Sequence, residues 1–65
     1  MEYPNIKKTR EERQYSQRTI AELLGTTQAQ YWLWESGKRE IPVSKLKILA
    51  KFYNVSIDYL VAENL

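Results

Sequence analysis

Ala21 and Gly25 stand four residues apart near the middle of this 65-residue chain, between two short segments with helical apolar spacing. Gly25 can adopt the left-handed backbone that ends one helix and redirects the chain. Ala21 has a side chain small enough for a second helix to cross closely. The sequence therefore predicts two crossed helices within residues 17–36. Their shared apolar seam consists of Ile20, Leu24, Tyr31 and Trp34.

Helix-capping residues divide the rest of the chain. Ser16, Thr27 and Ser56 each precede an amphipathic stretch, and a hydroxyl suits the N-cap position. Gly37 and Asn54 follow such stretches and suit left-handed C-terminal turns. Helices this short are unstable in isolation, so their order must come from packing against one another. The sequence therefore predicts an all-α fold, a compact bundle of five helices at about 5–13, 17–24, 28–35, 43–53 and 57–62.

The fourth predicted helix, at about residues 43–53, has one apolar face. Its apolar residues recur at a spacing near 3.6, so that Lys45, Lys47 and Lys51 mostly face away from the core. The preceding segment KREIP, residues 38–42, is interpreted as a polar loop. Pro42 suits either the residue before the helix or its first turn.

The composition excludes several kinds of site. The chain has no Cys and no His, which excludes disulfides, thiolate or imidazole metal ligands, and Cys or His catalysis. Its eight carboxylates are scattered over helix surfaces without a phosphate-cradling glycine loop, so we expect no enzyme and no cofactor. No stretch approaches the roughly 20 apolar residues of a membrane span, and no signal-peptide core is present. We therefore expect a cytoplasmic protein without a membrane or small-molecule partner.

Charge alone does not identify a partner, because a net charge of +2 and a pI near 9.0 are only mildly basic. The arrangement of the crossed helices is more informative, since the second helix of a helix-turn-helix can enter the DNA major groove. Gln28 can pair with adenine through two hydrogen bonds, and such a pair favours adenine over the other bases by about 1–3 kcal/mol. Thr27 and Ala29 can contact a thymine methyl group. The alternative is that Thr27 and Gln28 form only a cap and a solvated first turn.

From Ile6 to Leu60 the chain resembles the lambdoid phage repressor and Cro type of helix-turn-helix domain, also called the XRE family. This resemblance implies a lambda-repressor-like fold, one domain over residues 1–65, and a prokaryotic or phage-type transcriptional regulator that represses by binding double-stranded DNA. The matching positions are Arg10, Ser16, Gln17, Ala21, Gly25, Trp34, Glu35, Gly37 and Lys38, with REIP at Arg39 to Pro42 and NVSIDYL at Asn54 to Leu60.

The resemblance also implies roles for individual residues. Base contacts fall on Thr27, Gln28, Ala29, Trp32, Leu33 and Ser36, and contacts to the DNA backbone on Gln17, Lys38 and Arg39. Arg18 and Arg10 are further candidates for the backbone by position, although a lone exposed basic residue often has no partner. Arg10 and Glu35 match a partly buried structural salt bridge. A homodimer on an inverted-repeat operator is expected, with Tyr59, Leu60, Val61 and Leu65 as candidate contacts, although Leu60 suits the core equally well.

Four positions depart from the family pattern. Thr9 stands where a core Leu is usual, and Gln14 where Gly or Asn turns the chain, so each should cost stability. Trp32 and Leu33 are apolar where polar or basic residues are usual. They could pack in the DNA groove, or Trp32 could fold over the second helix as partial core. They could also form an exposed patch for a protein partner, which would make the chain an interaction or antitoxin-like module.

Overall fold

Five α-helices and no strand form within residues 2–62, the part of the chain that the computed structural model describes. The predicted all-α, five-helix class is confirmed. The predicted bounds differ slightly, because the first helix begins and ends one residue earlier and the second and fifth end earlier than expected. The helices are α1 (Pro4–Glu12), α2 (Gln17–Leu23), α3 (Gln28–Glu35), α4 (Val43–Tyr53) and α5 (Ile57–Leu60).

Local side chains explain where the helices begin. Pro4 occupies the first turn of α1, where its fixed φ is suitable and its missing N–H costs nothing. Pro42 directly precedes α4 as its N-cap. The three predicted hydroxyl caps are confirmed, because each accepts a hydrogen bond from the backbone N–H three residues later: Ser16 at 3.0 Å, Thr27 at 3.1 Å and Ser56 at 2.9 Å.

Left-handed residues turn the chain between helices. Gly25 has a φ of +68°, and the following Thr26 N–H donates to the Ala21 carbonyl at 2.9 Å. This six-to-one hydrogen bond closes the end of α2. Asn54 ends α4 with a φ of +58°, as predicted. Gln14 also has a positive φ of +62° after α1, which costs a residue with a side chain about 1–2 kcal/mol.

The core is built around the predicted seam, and every residue of that seam is at most 6% exposed. The predicted loop at residues 38–42 is present, but Ile41 within it joins the core at 3% exposure. Leu60 is fully buried, which assigns it to the core and removes it from the candidate dimer contacts. Leu65, another of those candidates, lies outside the described residues.

Polar groups inside the fold tie elements together. The Asn5 side-chain amide donates to the Tyr59 carbonyl at 2.8 Å, which joins α1 to α5. Lys45 was predicted to face away, but its Nζ donates to the Leu24 carbonyl at 2.8 Å and satisfies the end of α2. Thr9 is 2% exposed, and its hydroxyl has no hydrogen-bond partner among the described residues. The described helices include none long and apolar enough to cross a membrane.

Candidate nucleic-acid interface

The outer face of α3 carries most of the predicted base-contact residues. Tyr31 and Trp34 point into the core, and the residues on the other side of the helix follow the three- and four-residue spacing of one helix face. Thr27 stands apart from this face as the N-cap of α3. The outer face consists of Gln28, Ala29 and Trp32, which are exposed, and Leu33 and Ser36, which are half-buried.

Trp32 remains 43% exposed, so the structure does not support the interpretation that it folds over α2 as part of the core. The Nζ of Lys38 lies 5.7 Å from the centroid of the Trp32 ring. A cation in this position is attracted by the electron-rich ring face. The contact therefore holds a loop ammonium group beside the outer face of α3.

Arg10 and Glu35 form a two-pronged ion pair between α1 and the last residue of α3. Arg10 Nε donates to Glu35 Oε2 at 2.8 Å, and Nη2 donates to Oε1 at 3.0 Å. Nη1 donates to the Tyr15 carbonyl at 2.7 Å, so the same guanidinium also fixes the loop before α2. The two side chains are only 10% and 3% exposed. Planar, bidentate geometry of this kind is the strongest form of a salt bridge.

The electrostatics of the pair keep both partners charged. Burial acts to raise the pKa of Glu35, but the neighbouring donors of Arg10, Tyr31 and Gln17 outweigh it and lower that pKa. The hydrogen bond to Glu35 raises the pKa of Arg10. The Tyr31 hydroxyl makes no hydrogen bond of standard geometry within residues 2–62, yet it lies close enough to act on the carboxylate. Burial, and then Glu35, raise the pKa of Tyr31, which stays protonated.

Gln17, the first residue of α2, is connected to this ion pair. Its Nε2 donates to Glu35 Oε1 at 3.2 Å. The amide group has two N–H donors, so one remains available for another acceptor. This connection was not predicted, because periodicity shows which face of a helix is apolar but not which residues meet between helices.

The other predicted backbone contacts lie on the surface. Arg18 Nε lies 3.4 Å from Glu22 Oε1, and both side chains are more than two-thirds exposed, so the pair contributes little to stability. Lys38 and Arg39 are exposed in the loop after α3, and the Arg39 N–H donates to the Leu33 carbonyl at 3.1 Å. The structure thus places basic side chains at both ends of the crossed helices.

Two further regions bear on the predicted site. Tyr59 is 37% exposed and Val61 is half-buried, so these two remain as candidate dimer contacts within the described part of the chain. Residues 2–62 contain no group of three or more carboxylates that could hold a metal ion. Lys7, which no motif marked, lines a cavity beside the outer face of α3.

Comparisons with known proteins agree with this geometry. A helix-turn-helix family model matches residues 6–60. An uncharacterised HTH-type transcriptional regulator of Bacillus subtilis strain 168, YqaE, is 36% identical over 56 residues, covering 86% of this chain and 48% of that protein. A second such regulator from the same strain, YobD, is 31% identical over 55 residues, covering 85% and 49%.

A solved structure shares the architecture. The crystal structure of a transcriptional regulator from Listeria innocua superposes with a TM-score of 0.83 at 28% sequence identity, covering 94% of this chain and 59% of that one. The chain therefore spans about half the length of the curated relatives it matches.

Proposed function

Because the chain belongs to the helix-turn-helix family of the Cro/C1 type, we propose that it is a sequence-specific regulator of transcription that reads the DNA major groove with α3. The observation that carries this proposal is the outer face of α3, which projects from a folded scaffold with Gln28 in its first turn. Residues 1–65 act in this proposal as one helix-turn-helix domain. The mechanism is binding alone, without a chemical step or a cofactor.

Sequence readout is assigned to the first turns of α3. Gln28 is exposed and is the residue best suited to pair with adenine through two hydrogen bonds. Ala29 and the Thr27 methyl group can contact thymine methyl groups. Trp32 and Leu33 extend this apolar contact along the groove, and Ser36 lies at the far end of the same face.

Contacts to the DNA backbone fix the register of α3 without reading sequence. Gln17 supplies its remaining amide N–H, and Lys38 and Arg39 supply charge from the loop after α3. Arg18 is available once its exposed pair with Glu22 opens. Arg10 contributes least to these contacts, because Glu35 compensates its charge and three of its donors are already used within the protein.

We infer that two copies bind an inverted-repeat operator. One α3 offers few reading side chains, and two-fold pairing would place two such helices about 34 Å apart, which matches half-sites one turn apart. Tyr59 and Val61 are the candidate contacts, and pairing can be completed on the DNA. Occupancy of a promoter by such a dimer in the cytoplasm would block transcription, which makes the protein a repressor.

The deciding experiment is selection of bound duplexes from a random library, repeated with Gln28→Ala. We expect the variant to lose preference at one adenine position, by about 1–3 kcal/mol. Gln30→Ala is the matched control, since it removes the same side chain from another side of α3. An unchanged consensus with Gln28→Ala removes this residue from the reading role. With about four to six phosphates neutralised per dimer, log K should fall against log salt with a slope of about −4 to −5.

A protein-interaction role is the second candidate, favoured by the 43% exposure of Trp32. An NMR titration with duplex DNA separates the two functions. Shifts concentrated at residues 17, 18 and 26–39 support DNA binding. The absence of shifts even at low salt would leave Trp32 and Leu33 as a surface for a protein partner.

A further inference from the structure

A shallow cavity of about 200 Å³ lies beside the outer face of α3, where α1, α2 and α3 meet. Three of its lining residues, Gln17, Trp32 and Ser36, belong to the proposed DNA interface. The others lie outside the base-reading and backbone contacts assigned so far. The complete lining consists of Glu2, Lys7, Gln17, Trp32, Glu35 and Ser36.

The charged residues around this cavity differ in how far their charges are neutralised. The guanidinium of Arg10 donates two hydrogen bonds to the Glu35 carboxylate, at 2.8 and 3.0 Å, so this carboxylate adds little net charge to the cavity. Two charged side chains of opposite sign remain, Lys7 and Glu2. The ammonium group of Lys7 has three donors, and the amide of Gln17 keeps one. This donor set suits the oxygens of a phosphodiester group.

The segment before α1 brings Glu2 to this place. Gly37 has a φ of +79°, and a Cβ atom at Gly37 would lie 2.8 Å from both Cα and Cβ of Glu2. The backbone of Glu2 therefore packs directly on the glycine that follows α3. The adjacent Tyr3 hydroxyl donates to Glu40 Oε1 at 2.7 Å in the same loop. These two contacts hold the segment across the end of α3, so that Glu2 lines the cavity together with Lys7.

We propose that Lys7 binds a DNA phosphate in this cavity together with Gln17, and that the Glu2 carboxylate competes with that phosphate for Lys7. This inference rests on the proposed function and adds to it a contact from α1 and an internal acidic competitor. The physical reason is that a carboxylate and a phosphate cannot share one ammonium group without like-charge repulsion. The N-terminal segment thus lowers the affinity of the domain for DNA.

The first test compares two neighbouring lysines of α1. Lys7 lines both the cavity beside α3 and a neighbouring cavity along α1, whereas Lys8 lines only the neighbouring one. Fluorescence anisotropy with the selected duplex, and with an unrelated duplex, gives the dissociation constant over a range of salt. We expect Lys7→Gln to raise the dissociation constants for both duplexes by about fivefold and to reduce the salt slope by about one per bound copy. Lys8→Gln should change either dissociation constant by less than about twofold. Equal effects of the two variants would overturn the proposal.

The second test concerns the competitor. Glu2→Gln should tighten binding by about threefold or more, whereas Glu12→Gln, which changes the net charge equally and does not line the cavity beside α3, should have little effect. The gain must disappear in the Lys7→Gln background, because the two groups act on one phosphate. A gain that persists in that background, or that Glu12→Gln reproduces, would show a general charge effect and refute the competition.

These tests separate the inference from the proposed function. If the wild-type chain binds no duplex at low salt, both fail together. If Gln28→Ala changes the consensus while Lys7→Gln matches Lys8→Gln, only the inference fails. NMR spectra with inorganic phosphate at matched ionic strength distinguish the source of the phosphate. Shifts at Lys7 and Gln17 that occur with duplex but not with inorganic phosphate support a DNA contact. Shifts that occur with inorganic phosphate but not with duplex contradict it.

Discussion

The buried ion pair of Arg10 and Glu35 should show a large coupling energy in a double-mutant cycle. Glu35→Leu leaves a guanidinium that is about nine-tenths buried with only its bond to the Tyr15 carbonyl. An uncompensated charge at this depth costs about 3–5 kcal/mol. For a chain of this size the whole free energy of unfolding is about 3–10 kcal/mol, so the variant should lose between about a third and all of its stability.

The double variant Arg10→Met/Glu35→Leu should be far more stable than either single variant, because it leaves no buried charge. Replacing a buried pair by apolar groups is often nearly neutral, so we expect a loss of about 1–2 kcal/mol and a coupling energy of about 3 kcal/mol or more. Urea unfolding followed by far-UV circular dichroism measures all three variants.

One further variant and one control pair keep this cycle informative. Glu35→Gln retains an acceptor for Arg10, and its smaller loss can be measured if Glu35→Leu does not fold. The exposed pair of Arg18 and Glu22, at 79% and 69% exposure, is the matched control and should couple by less than about 0.5 kcal/mol. Additive losses at Arg10 and Glu35, or a coupling no larger than this control, would refute the reasoning.

Three other changes test the backbone and the core. Gln14→Gly should stabilise the fold by about 0.5–1 kcal/mol, because it relieves a left-handed residue at φ +62°, offset in part by the greater freedom of glycine when unfolded; a lower thermal midpoint would contradict this. Gly37→Ala should lower the free energy of unfolding more than Gly25→Ala does, since both glycines have positive φ but only a Cβ at Gly37 would lie 2.8 Å from Glu2. Equal urea midpoints of the two variants would argue against close packing at Gly37. Burial raises the pKa of Tyr53 to about 12, so the unfolded chain loses this proton first and stability falls as pH rises from 10 toward 12. Tyr53→Phe should reduce that loss in urea titrations at pH 9 and 11, and an identical pH dependence would exclude Tyr53 as its source.

The crossed helices could be predicted because their determinants are local. Hydroxyl caps at Ser16, Thr27 and Ser56 act on an N–H only three residues away, and apolar spacing fixes which face of each helix is buried. Leu60 shows the limit of such reasoning, because an apolar residue near the chain end suits a core and an interface equally. Only the packing of the whole chain assigns it to the core.

Contacts between distant elements could not be predicted from periodicity. Lys45 is polar and follows the outward pattern of α4, yet its long side chain reaches the Leu24 carbonyl, 21 residues earlier. Ile41 lies among charged residues, and nothing in its local sequence distinguishes an exposed loop residue from a buried one. The link from Gln17 to Glu35 depends on how two helices cross, which capping and spacing leave undetermined.

The ion pair also connects stability to DNA binding. Glu35 Oε1 accepts hydrogen bonds from both Arg10 and Gln17, so a variant at Glu35 changes the packing of α1 against α3 and the orientation of a proposed backbone contact together. Measured affinity then combines two effects, because unfolded molecules do not bind. DNA that binds only the folded chain stabilises it by about 2.7 kcal/mol at 100 times the dissociation constant. Excess operator should therefore restore folding in a weakened Glu35 variant, and whatever loss of affinity remains in the folded protein reflects the altered position of Gln17 together with the changed packing of α1 against α3.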